Sequence, residues 1–134
     1  MALKSFKPYT KSTRSTILVD RSDLWKGKPE KSLTKFKKRA VGRNNQGRIT
    51  TRHKMMGHKK RYRLIDFKRS KNDIPAEVKR FEYDPFRSAN IMLIEYQDKV
   101  LSYVLGVEGL KVGDKVISGD KTEVQKGNSM MLKN

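Results

Sequence analysis

From Tyr62 onward, short apolar or alternating runs recur roughly every ten residues between turn formers, the grammar of a small β-barrel or sandwich. Five strands are legible: Arg61–Lys68, Ala76–Tyr83, Asn90–Gln97, Lys99–Val107 and Lys115–Ser118, with Ser129–Leu132 as a short sixth. In the second run Ala76 and Val78 share one phase while Phe81 and Tyr83 take the other, which predicts a bulge near Lys79 or Arg80. Asp84-Pro85-Phe86-Arg87 places proline second in a tight turn, where its fixed φ already fits. Gln97-Asp98-Lys99 then closes a hairpin.

Residues 1–60 lack such a pattern. Gly27, Pro29, Gly42, Asn44, Asn45 and Gly47 punctuate them, and no apolar block is large enough for a core. They read as an extended arm with short pieces of strand or helix at most, anchored to a surface by Trp25, Phe36 and a few aliphatics. The expected organisation is therefore an arm over 1–60 followed by a barrel over 61–134. A barrel of roughly 70 residues buries only about 60% of its unfolded surface, so binding should help to hold it together.

Charge sharpens this division. Residues 1–71 carry a net +19 and residues 72–134 a net −1, and between Lys31 and Ile65 thirteen lysines and arginines occur without a single carboxylate. Such a stretch needs an external polyanion. The chain has no cysteine, so disulfides and thiolate metal sites are excluded. Its longest purely apolar run, Ile91–Ile94, is far short of the roughly 20 residues that span a bilayer. The basic, acid-free start also has the composition of a mitochondrial presequence, but Leu3, Phe6, Ile17, Leu18 and Val19 form no helical stripe and Pro8 interrupts them.

Catalysis has little to work with. His53 and His58 sit among Arg52, Lys54, Lys59 and Lys60, a field that disfavours a bound cation, and their spacing is not a zinc signature. No phosphate loop or nucleophile elbow is present. Glu77, Glu82, Asp84 and Glu95 read as solvated faces and turn residues. An enzyme is not expected, nor a small-molecule substrate.

Three readings compete for the arm. A disordered tail or import signal would not need the interleaved Asn44, Asn45, Gln46, Thr50, Thr51 and His53, which can hydrogen-bond sugars, phosphates and base edges. An anionic membrane would want an apolar face that the arm lacks. Nucleic acid fits, and RNA better than DNA, because no helix suited to a major groove is visible. Glycines and asparagines let backbone approach phosphates while arginine forks bind them or stack on bases. For the protein as a whole the competing class is a free-standing regulator, such as a single-strand-binding barrel or an RNA chaperone, which would need aromatics on an open sheet face, whereas Tyr62, Phe67, Phe81, Tyr83, Tyr96 and Tyr103 are mostly wanted as core.

Arg43-Asn44-Asn45-Gln46-Gly47-Arg48-Ile49-Thr50-Thr51-Arg52-His53, Gly57-His58-Lys59, Asp66-Phe67-Lys68-Arg69 and Glu82-Tyr83-Asp84-Pro85-x-Arg87-Ser88-Ala89-Asn90-Ile91 closely resemble the bacterial-type large-subunit ribosomal protein "L two" family. Ile74-Pro75-Ala76, Gly109-Leu110-Lys111-x-Gly113-Asp114 and Gly127-Asn128 follow in the same order, so the likeness covers essentially the whole chain. The resemblance implies an all-β fold: a five-stranded oligonucleotide-binding (OB)-like barrel preceded by a long basic extended arm, which clamps large-subunit ribosomal RNA and contributes to translation and subunit association. It implies contacts from Arg39, Arg43, Asn44, Asn45, Arg48, Thr50, Thr51, Arg52, His53, His58, Lys59, Lys60, Arg61 and Arg63 in and beside the arm. From the barrel it adds Lys68, Arg69, Arg87, Ser88 and Asn90. It implies no cofactor, with magnesium only as bound by the RNA, and other large-subunit proteins as neighbours.

Two departures bear on these expectations. Where the family usually has a glycine triplet before the second histidine, this sequence has Met55-Met56-Gly57, which puts close backbone approach at the first two positions in doubt. The family's second, SH3-like barrel would begin near Asn134. A separate polypeptide carrying that half is therefore expected as a partner, and a split gene points to a mitochondrial ribosome, with a bacterial cytoplasm or plastid as alternatives.

Overall fold

The computed structural model describes residues 3–38 and 41–132, and among these strands dominate. The one α-helix among them, α1 (Lys11–Arg14), is a single turn capped by Thr10, whose hydroxyl accepts from the Thr13 N–H. It joins β1 (Leu3–Ser5) to β2 (Ile17–Val19), which pair antiparallel as a separate hairpin. Two further short strands, β3 (Thr34–Phe36) and β4 (Arg61–Arg63), also pair antiparallel. The main sheet comprises β5 (Ala76–Glu82), β6 (Ile91–Tyr96), β7 (Leu101–Leu105) and β8 (Lys115–Val116), in the order β7-β6-β5-β8.

The sheet thus has four fully paired strands where five were expected. The difference lies in Arg61–Lys68. Its first residues pair with β3, and the Leu64 N–H continues that ladder to the Leu33 carbonyl at 2.9 Å. Only at Ile65 does the chain reach the main sheet, through a parallel bridge to Tyr103 and a 2.8 Å bond from the Asp66 N–H to the Tyr103 carbonyl. A segment shared between two neighbours cannot form one long strand.

The bulge falls at Lys79: the β5–β6 register steps from Val78↔Ile94 to Arg80↔Leu93. Because of that extra residue, Phe81 returns to the face of Ala76 and Val78, while Arg80 and Glu82 lie on the other. Each face has its own core. Ala76, Val78, Met92, Ile94, Tyr96, Val104 and Val116 fill one, with Phe81 and Leu110 against them. Ile91, Leu93 and Tyr103 form the second, covered by Leu33 and Ile65. The central strand β6 is therefore buried on both sides from Ile91 to Ile94, each side chain contributing about 1.5–3 kcal/mol of transfer free energy.

Leu33 shows that the arm's root takes part in this core. It is held there by a polar chain: Tyr103 Oη accepts from the Glu30 N–H at 3.0 Å and donates to both Glu82 oxygens at 2.9 Å, and Glu82 pairs with Arg80 Nε at 2.7 Å. Burial, ahead of the Glu82 charge, pushes the Tyr103 pKa up, which keeps the phenol a donor. The expectation that Glu82 and Asp84 are solvated is overturned, since they are 3% and 0% exposed. Each has an arginine of its own. Asp84 pairs with Arg87 across the turn and also accepts from the Phe86 N–H at 2.9 Å. Glu77 and Glu95 do stay in partial contact with water, both bound to Lys79 at about 3 Å.

Candidate nucleic-acid interface

Between β3 and β4 the chain runs out into a loop built on itself. Gly42, at φ +68°, is buried, and its carbonyl accepts from the Thr50 and Thr51 N–H groups at 2.8 and 3.2 Å. Beyond it Arg43 and Ile49 bridge, and Gly47 turns the tip at φ +78°. Asn44 fixes this turn: its Oδ1 accepts from the Gln46 and Arg48 N–H groups at 3.0 and 2.9 Å. The Arg43 guanidinium closes the base on the carbonyls of Val41, at 2.7 Å, and Lys54. Two residues expected to touch RNA therefore shape the loop as well.

The other expected residues of the loop, from Asn45 to Lys59, are presented outward, whereas Lys60 and Arg63 are half-buried. From Arg43 to Lys59 only Met56 is even half-buried. Among the described residues, no hydrogen bond or ion pair engages the side chains of Asn45, Arg48, Thr50, Thr51, Arg52, His53, His58, Lys59, Lys60 or Arg61. His53 stands at φ +57°, a left-handed conformation uncommon for a histidine. His58, Lys59 and Lys60 line a shallow pocket with Phe36, Lys37 and Phe86. Arg63 donates to the Arg61 carbonyl at 2.9 Å, and its buried Nε has no partner among the described residues. Arg39 lies outside the described residues.

The barrel residues divide differently. Lys68 and Ser88 are exposed, and Asn90 is half-buried with its carbonyl bound by the Gly106 N–H at 2.9 Å. Arg69 donates to the Gly127 carbonyl at 2.6 Å. Arg87, besides its pair with Asp84, reaches the Tyr62 hydroxyl at 3.3 Å and lies 5.3 Å from the centre of that ring. Its guanidinium is largely committed to the fold.

All ion pairs found among the described residues lie between Lys71 and Asp98. Glu77, Glu82, Asp84, Glu95 and Asp98 are matched there, and no carboxylate among the described residues pairs with a cation of the loop. No group of three or more His, Cys, Asp or Glu side chains among the described residues could hold a metal ion. No helix among them is long and apolar enough to cross a membrane.

A family model described as "Ribosomal Proteins L2, RNA binding N-terminal domain" matches residues 30–118, from the anchored root through the loop to the end of the sheet. The chain belongs to this ribosomal protein L2 family. It is 58% identical over 132 residues to the large ribosomal subunit protein uL2 of Granulibacter bethesdensis, covering 98% of this chain and 48% of that protein. The uL2 proteins of Rhodospirillum centenum and Gluconobacter oxydans are 57% and 56% identical, over 100% and 98% of this chain. The chain spans about half the length of these curated relatives, all of them bacterial.

Within this L2 domain, Gly42 is the most constrained loop position. A Cβ there would run into the Thr51 carbonyl, on top of the unfavourable φ. Gly42→Ala is expected to open the bonds from Thr50 and Thr51 and weaken RNA binding about tenfold, with the unfolding midpoint of the sheet nearly unchanged. Gly47→Ala, where a Cβ meets open space, should cost only the left-handed turn. Filter binding beside urea unfolding separates the two.

Proposed function

We propose that this chain is a structural constituent of the large ribosomal subunit that clamps large-subunit ribosomal RNA between its loop and its small barrel, as an OB-like platform with a basic extension. The observation that carries this is the split in the electrostatics: Arg48, Arg52, Lys54, Lys59 and Arg61 are exposed and make no ion pair among the described residues, while the ion pairs sit in and beside the sheet, between Lys71 and Asp98. Arg48, Arg52, Lys59 and Arg61 supply phosphate contacts. Asn45, Thr50, Thr51, His53 and His58 supply hydrogen bonds and stacking. Arg43, Asn44, Arg69 and Arg87 act chiefly by holding the frame. Lys60, Arg63, Lys68, Ser88 and Asn90 flank the loop on the barrel side.

The role involves no enzymatic step and no cofactor, magnesium entering only with the RNA. Neutralising six to ten phosphates predicts that affinity for large-subunit ribosomal RNA drops roughly 10³ to 10⁵-fold between 50 and 200 mM salt. An affinity insensitive to salt would refute the clamp. The bacterial relatives favour a ribosome in the bacterial cytoplasm over the mitochondrial one that a split gene would imply. The nearest protein partner in this reading is the remaining half of the L2 protein. Mass spectrometry of purified large subunits distinguishes a continuation of the same chain from a separate polypeptide.

A further inference from the structure

Remote in sequence from the basic loop, residues 21–25 run beside the end of β5 and place two aromatic–arginine pairs on one exposed edge. The Trp25 N–H bonds the Phe81 carbonyl at 2.8 Å, and the Arg80 guanidinium lies 4.9 Å from the indole centre. Two residues further along, Tyr83 is stacked by Arg21 at 3.7 Å. Both rings remain open, Trp25 at 50% and Tyr83 at 37% exposure.

Trp25 is not loosely exposed. Gly27 packs so closely that a Cβ there would come within 2.5–2.7 Å of the indole, and Arg80 is itself fixed by buried Glu82. An aromatic held in place while half in water is a recognition element, because little rotamer freedom is lost when something stacks on it. Beside it, Leu24, Phe81 and Val112 line an apolar groove.

The local charge argues for what stacks there. Arg21, Lys26 and Lys28 are offset by Asp20 and Asp23, which share the Ser22 hydroxyl, while Arg80 is neutralised by Glu82. The edge is close to neutral, unlike the loop. It is unsuited to gripping phosphates and suited to flat, weakly polar faces. We infer that Trp25 and the Arg21–Tyr83 stack form a second RNA site, a ledge for unpaired nucleobases. Stacking on aromatic rings and arginine planes is how single-stranded RNA is held without sequence preference. This inference builds on the RNA-binding reading above.

Trp25 is the only tryptophan, so its fluorescence reports on the ledge alone. Three probes are titrated at low salt: a mixed-sequence single-stranded 12-mer of RNA, an RNA duplex of equal length, and inorganic polyphosphate. Binding is followed independently by anisotropy or sedimentation. The expected result is that all three bind, that only the single strand strongly quenches Trp25, and that Tyr83→Leu with Arg21→Gln lowers single-strand affinity about tenfold. That loss should persist at 200 mM salt, where the contribution of the loop has faded. Equal quenching by all three probes, or binding without quenching, overturns the ledge and leaves the clamp standing. Failure of every nucleic acid to bind overturns the clamp itself. Trp25→Phe, which keeps a ring, should retain most of the single-strand affinity; loss as severe as in Trp25→Ala would make the indole a packing element instead.

Discussion

Urea unfolding of Asp84→Ala is expected to show a loss of about 3–5 kcal/mol, a large share of the 5–15 kcal/mol that holds a typical domain. Three things fail together. The Arg87 guanidinium, its side chain 17% exposed, loses its only carboxylate among the described residues. The Phe86 N–H loses its acceptor, and the turn that sends the chain from β5 to β6 loses the side chain that braces it. Arg87 then no longer holds Tyr62, which packs edge-on against Phe86 with ring centres 5.3 Å apart. Asp84→Asn keeps the bond to Phe86 but not the charge, and should lose about half as much. Because the cost of the single change is mostly that of a stranded cation, Asp84→Ala with Arg87→Leu should recover part of it. A single-variant loss below about 1 kcal/mol would show that Arg87 finds water or another partner at little cost.

The second large effect is on RNA. Changing Arg48, Arg52, Lys59 and Arg61 together to glutamine is expected to lower affinity for large-subunit ribosomal RNA about 10³-fold at 0.1 M salt and to flatten the log–log salt slope by about four. Glutamine keeps hydrogen-bonding capacity, so the change isolates charge. A matched variant removes the same charge from the other half, at the exposed Lys99, Lys111, Lys115 and Lys121, and should lose less than tenfold. Both variants should unfold at the urea concentration of the parent, because the eight side chains make no ion pair among the described residues. Equal losses from the two sets would mean that net charge, not the loop, binds the RNA.

The sheet was readable in advance where its own residues carried the signal. The phase slip between Val78 and Phe81 announced the bulge, and Asp84-Pro85 announced the turn. What stayed hidden depends on partners distant in sequence. Leu33 is an isolated apolar residue in a basic stretch, with no period to mark it, and Ile65 sits in a run that reads as one long strand of the main sheet, yet together they cover the second face of β6. Glu82 looks like any strand carboxylate until Tyr103, two strands across the sheet, is found donating to it. The pairing of Thr34–Phe36 with Arg61–Arg63 spans the whole loop and leaves no local trace. In the loop, glycine and asparagine positions were legible as punctuation, but only the folded loop separates Asn44, which builds the turn, from Asn45, which faces outward.

The one-sided burial of this chain also bears on how long a copy without RNA survives. A trypsin-like protease meets Arg48, Arg52, Lys54 and Lys59 on a loop with almost nothing buried, while β6 is enclosed on both faces. Cleavage there should cut the free protein and spare the RNA-bound one. The supply of its nucleic acid would then set how many copies a cell keeps.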